Sequence, residues 1–145
     1  MWIVTGIVAG LVAGIVMGVF SQIGYWLGIV RSHLIVIDGA FSLRIMKRNG
    51  STAATYASGI FVHLVTSIGF GIVYVIIARI LGFNNQWAVA IAIYVFILWL
   101  AMLAVALPVA GQGFMGNRIQ GPAWFEQLVL HIIFGASFWW ALGFI

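Results

Sequence analysis

The chain has 145 residues, 65% of them hydrophobic, with 6 Lys+Arg against 2 Asp+Glu. A soluble domain carries roughly a quarter charged residues and about half apolar ones. This composition, with a mean hydropathy of +1.22, therefore excludes a soluble globular fold, a disordered chain and a coiled coil with charged flanks. The lack of cysteine excludes disulfides, thiolate metal sites and cysteine nucleophiles, and leaves the redox compartment unread.

Charged residues fall in few places, and the uncharged intervals map the membrane spans. Residues 1–30, 49–78, 80–117 and 127–145 carry no charge. A hydrocarbon core of ~30 Å needs about 20 apolar residues in helical form. Four helices are predicted, over 3–30, 52–81, 86–109 and 122–145. The apolar runs are continuous and lack the period-two alternation of a barrel strand. The expected fold class is thus all-α: a polytopic membrane protein with four transmembrane helices in a single up-down bundle.

The first helix has no basic n-region, and no A-x-A site follows it, so it is expected to remain in the mature protein. It carries Gly6, Gly10, Gly14 and Gly18, a ridge of glycines at spacing four. Apolar attraction cannot drive helices together in lipid, so close backbone approach through small residues does. The partner of this ridge is expected to be either the second helix, with Gly59, Ser67 and Gly71 on a similar ridge, or another subunit.

The first connection, from His33 to Met46, is too apolar to dangle in water and too short to span. It is expected to be an interfacial or re-entrant segment along the cytoplasmic face. Ser51 or Thr52 suits the cap of the second helix. The third helix is richer in bulky residues, and Pro108 near its end should stop or kink it. A glycine-rich connection follows from Gly111 to Asn117, and Pro122 suits the first turn of the fourth helix. Trp124, Trp139, Trp140 and the Tyr25-Trp26 pair near helix ends look like interfacial anchors.

Arg31, Arg44, Lys47, Arg48 and Arg118 lie on one side of this topology and only Arg79 on the other. The positive-inside rule then puts both termini outside and the 31–51 and 110–121 connections in the cytoplasm. The basic cluster Arg44, Lys47 and Arg48 suits anionic lipid headgroups. It makes no nucleic-acid footprint, because no basic face interleaved with aromatics extends beyond it.

His63 and His131 fall well inside predicted spans, where ionisable residues are functional candidates. At 1.5 Å per residue they lie roughly 16 and 14 Å from the basic side, in one layer of the bilayer. His63 stands at spacing four with Gly59, Ser67 and Gly71, and His131 with Gln127 and Gly135. Small residues one turn from a histidine leave room for a planar macrocycle, and bundle cofactors sit between facing helices. The chemical hypothesis is a b-type haem with His63 and His131 as axial ligands; a chlorophyll-type pigment is the lesser variant. The plain alternative is that each histidine hydrogen-bonds a carbonyl, Gln127 or Thr66 across the bundle.

Glu126, near the positive end of the fourth helix, is expected to act structurally, with Arg118 as its partner. Asp38 is read as a turn cap or a partner of Arg44. No P-loop, dinucleotide fingerprint or zincin motif occurs, and no buried acid is expected beside His63 and Ser67 to complete a relay. No catalytic residue and no metal site is assigned, and catalysis by this chain alone is not expected.

The run Pro108-x-Ala110-Gly111-x-Gly113-Phe114-x-Gly116, with His131-x3-Gly135, resembles small uncharacterised four-helix membrane proteins of bacteria and archaea. The resemblance implies the four-span architecture and a prokaryotic cell (inner) membrane, and nothing about activity. The expected function is a non-catalytic integral subunit or accessory protein of a larger membrane assembly, holding a haem or pigment if it holds a cofactor. Its expected partners are lipids and other membrane subunits or further copies of itself. The alternative is a small oligomeric transporter or channel.

Overall fold

The computed structural model describes residues 2–119 and 121–145. It is all-helical, with no strand among the described residues. The elements are α1 (Trp2–Trp26), α2 (Leu34–Ile45), α3 (Thr52–Leu81), α4 (Ala88–Val109) and α5 (Ala123–Leu142). All except α2 are long and apolar enough to cross a membrane.

Helix α1 ends four residues before the expected boundary. Gly28 takes φ +70°, Ile29 N–H donates to Gly24 O at 2.9 Å, and Gly28 N–H donates to Tyr25 O at 3.0 Å. This glycine-centred stop satisfies the last carbonyls of the helix, and the apolar residues that follow conceal it from hydropathy. Ser51 caps α3 by accepting from Ala54 N–H at 3.2 Å. Helix α3 stops at Gly82, which takes φ +71°.

The glycine ridge of α1 lies against α3 of the same chain. A Cβ built on Gly6 or Gly10 would strike the backbone carbonyl of Gly71 or Ser67, and one on Gly71 would strike Gly6 O. Gly14 faces Ser67, and Gly18 faces the His63 ring. As numbers rise along α1 they fall along α3, so the two helices run in opposite directions. Gly59 does not belong to this contact. It faces Ile35 O, while Gly39 faces Thr55 O, so α2 runs antiparallel along the first turns of α3 through a second glycine-mediated approach.

Helix α4 widens into a π-helix over Met102–Ala106 before its last turn, Leu107–Val109. Pro108 has no N–H, and its ring crowds the carbonyl four residues back, so the disturbance falls upstream of the proline. Tyr74, Phe138 and Leu107 are fully buried, and Tyr74 meets Phe138 edge-on at 5.3 Å. Helix α5 closes the bundle on α1 and α4, with Gly135 seated against Val95.

Candidate functional site

Three of the chain's ionisable side chains, Asp38 from α2, His63 from α3 and His131 from α5, line one cavity. His63 reaches out from α3, and both of its ring nitrogens are engaged. Nε2 lies 2.9 Å from Gly14 O on α1, and Nδ1 lies 3.0 Å from Asp38 Oδ2 on α2. A carbonyl oxygen can only accept, so Nε2 carries a hydrogen and donates it. One further proton then lies between Nδ1 and the carboxylate, held either as imidazolium with carboxylate or as imidazole with carboxylic acid. Both forms are neutral overall, which lets an acid and a base share a low-dielectric interior. The Asp38 side chain is 15% exposed and that of His63 7%.

This pair corrects the expectation for Asp38, which turns away from Arg44. Residues six apart on a helix do not share a face, and the Arg44 guanidinium packs on Gly111 instead. It also places beside His63 an acid, largely though not fully buried, that sequence reasoning denied it. The one available signal was a lone acid within a mostly apolar 12-residue helix whose other charge, Arg44, lies in its last turn.

The pair forms part of the wall of a cavity of about 270 Å³. Thr66, Ser67 and His131 supply its other polar surface, while Phe41, Phe70 and Phe134 contribute aromatic rings. The π-helical stretch of α4 forms the wall opposite α3 through Met102, Val105 and Ala106. His131 donates from Nδ1 to Gln127 O, one turn back on α5, at 2.7 Å. Its Nε2 has no hydrogen-bond partner among the described residues, and the ring also borders a second hollow of about 370 Å³ between α4 and α5.

These positions do not fit a haem with two axial histidines. His131 keeps one free nitrogen, but His63 has none, because Gly14 O and Asp38 hold both. The ridge glycines serve helix packing: Gly6, Gly10, Gly14, Gly18 and Gly71 join α1 to α3, and Gly59 joins α3 to α2.

The second acid serves the start of α2. Glu126 Oε2 accepts from Arg31 N–H at 3.0 Å, Ser32 N–H at 2.8 Å and Ser32 Oγ at 2.6 Å. Arg118, its expected partner, donates to Gly111 O at 3.3 Å instead. Gln127 Nε2 donates to Ser32 Oγ at 3.1 Å, and its buried Oε1 has no partner among the described residues. At the cap of α2, Val36 N–H donates to His33 Nδ1 at 3.3 Å, so the ring hydrogen sits on Nε2, 3.1 Å from Tyr56 OH. Burial pushes the His33 imidazole below its ordinary 6.5.

No protein-family model, curated protein or solved structure matches this chain. The geometry defines an apolar helical bundle of membrane-spanning length with an Asp–His pair at the wall of a half-open cavity, at whose rim Phe70 and Val105 are exposed.

Proposed function

We propose that the protein is a small proton-coupled carrier of the prokaryotic cell membrane, working as an oligomer. The observation that carries this reading is the Asp38–His63 pair, 3.0 Å apart at the wall of a cavity between spanning helices. Ionisable groups at such depth are costly, and in membrane proteins they mark ion and proton paths. In this reading the four long helices form an up-down bundle. Both termini lie outside, because the basic side chains gather at the opposite end. Helix α2 is a re-entrant half-helix whose N-terminus points into the bundle, in keeping with its antiparallel course along α3. The resemblance to small prokaryotic four-helix proteins supports the choice of membrane.

The test has two parts. Infrared difference spectra of Asp38 and NMR of the His63 ring report whether the pair exchanges its proton with bulk water between about pH 4 and 9. Proteoliposomes with an interior pH dye then report proton movement when gradients of small solutes are imposed. The expected result is exchange in the wild type and a solute-driven dye response that His63→Ala abolishes. A pair that never exchanges its proton refutes the reading.

A second reading is a non-catalytic accessory subunit of a larger membrane assembly. It is favoured by the hollow between α4 and α5, where Ala88, Ala92 and Ala136 present small side chains to the outside beside Trp139, above the buried Gly135. Small residues are what a partner helix packs against in lipid. Purification from native membranes at fixed stoichiometry with a partner supports this reading; a homogeneous self-assembly opposes it.

A further inference from the structure

We infer that the cavity binds a small amphipathic organic cation, which lays its charge on Asp38 in place of the His63 imidazolium and so releases a proton. This inference rests on the proton-coupled reading and names the class of solute. The step balances in charge. Before binding, Asp38 carboxylate and His63 imidazolium sum to zero. Afterwards Asp38 carboxylate and the bound cation sum to zero, His63 is neutral, and its Nδ1 proton has left to water.

The cavity wall supports a cation over other ligands. Asp38 is its one carboxylate, and Phe41, Phe70 and Phe134 line it with aromatic rings, a class of side chain that attracts weakly hydrated cations. The methionines Met17 and Met102 add polarisable surface. A metal ion is disfavoured, because no group of three or more His, Cys, Asp or Glu side chains stands close enough to hold one among the described residues. Small anions meet the Asp38 carboxylate, and the N-terminal side of α2 is already engaged by Glu126. A volume of about 270 Å³ lies just under the usual range for ligand pockets, so the cation is small.

The titratable groups that face the pair are few. Helix α1 presents the Gly14 carbonyl and Met17, and α4 presents Leu98, Ala101 and its π-helical stretch, none of them ionisable. Helix α5 contributes His131, whose unpartnered Nε2 is the second group able to take a proton beside the cavity. His33 and Glu126 lie at the start of α2, engaged with Tyr56 and with the backbone. Only Asp38 and His63 share a proton directly.

The test uses the full chain in nanodiscs of zwitterionic lipid, with benzyltrimethylammonium as the probe. The probe carries a permanent charge and an aromatic ring but no proton of its own. Calorimetry in two buffers of different ionisation heat counts the protons released. The expected result is saturable binding with roughly one proton released per cation where the pair is protonated, and affinity weakening about tenfold per pH unit below its titration. Neopentylbenzene, its neutral isostere, is expected not to compete, and Asp38→Asn to abolish binding. Equal competition by the neutral isostere, binding without proton release, or full binding by Asp38→Asn overturns the exchange. Should Asp38→Asn fail to fold, the isostere and the proton count on wild type still decide. A pair that titrates in the spectroscopic test but binds no probe sinks the cation inference alone, whereas a pair that never titrates sinks both.

Discussion

Adding one methyl group at each of three glycines separates the α1–α3 contact from a general tolerance for small residues. A Cβ at Gly71 falls on Gly6 O, with Gly10 Cα at 2.9 Å and Gly10 N at 3.0 Å. Every atom it meets is backbone, so relief requires the helices to move apart by about 1 Å, since carbon contacts settle near 3.5–4.0 Å. Overpacking of this kind costs about 1–3 kcal/mol. The same movement stretches the His63 Nε2 bond to Gly14 O from 2.9 Å, and a hydrogen bond to a charged group contributes roughly 1.5–3 kcal/mol. The expected loss for Gly71→Ala is therefore about 3 kcal/mol. At Gly18 the added Cβ meets the His63 ring at 3.6 Å, an ordinary contact, and at Gly69 it meets nothing within 4 Å. Gly18→Ala should be near neutral, and Gly69→Ala should range from neutral to a gain of up to about 1 kcal/mol from helix propensity. SDS titration of micellar protein, followed by far-UV circular dichroism and tryptophan fluorescence, ranks the three. If Gly71→Ala and Gly69→Ala unfold at the same SDS fraction, the helices do not approach as described.

Gly59→Ala should loosen α2 without parting α1 from α3, because its Cβ strikes Ile35 O; the expected cost is about 1–3 kcal/mol, with faster tryptic cleavage at Arg44, Lys47 or Arg48. Unchanged cleavage counts against that contact. Glu126→Ala leaves the N–H groups of Arg31 and Ser32 and the Ser32 hydroxyl without their acceptor, and should lose about 3 kcal/mol in the same titration. Glu126→Gln keeps a side-chain oxygen and should lose clearly less; equal losses show that these bonds matter little. His33 titrates below its ordinary 6.5 because it is buried, so the unfolded chain takes up the proton first as pH falls. Its contribution is complete above about pH 6.5 and is lost as pH drops through the lowered value, since a protonated Nδ1 cannot accept from Val36 N–H. The hydrogen-exchange protection of Val36, taken relative to its intrinsic rate at each pH, should fall on acidification, and His33→Asn, which retains a capping oxygen, should remove that dependence.

The spans are legible because bilayer thickness sets a minimum length for every uncharged run. The predicted 52–81 coincides with α3 as found. What hydropathy cannot register is a stop made by backbone geometry: Leu27, Ile29 and Val30 continue the apolar run beyond the glycine turn that ends α1. The π-helical stretch is equally silent, since its five residues are ordinary helix formers and the proline that disturbs them lies downstream. The glycine ridge announces a close neighbour but not which one, and Gly59 shows the limit: its spacing fits the ridge while its face belongs to α2.

The acids were misassigned for a single physical reason. Pairing charge with the nearest charge in sequence offers Arg44 to Asp38 and Arg118 to Glu126. The interior instead neutralises each carboxyl with groups such counting overlooks, an imidazole from another helix and the backbone amides before a short one.

Helix α2 is tied down at three places: Glu126 at its start, Asp38 along one face and the Gly39–Thr55 and Gly59–Ile35 approaches along another. Two of these ties are insensitive to a cavity ligand, since backbone packing and an amide-bound carboxylate carry no exchangeable proton toward it. The third is the Asp38–His63 pair itself. On the exchange mechanism, a cation that occupies Asp38 removes one of the ties between α2 and α3, while the glycine approaches to α3 and the Glu126 anchor stay in place. On that mechanism the response to binding stays local to the Asp38 contact, because the backbone approaches that join α3 to α1 and to α2 carry no exchangeable proton.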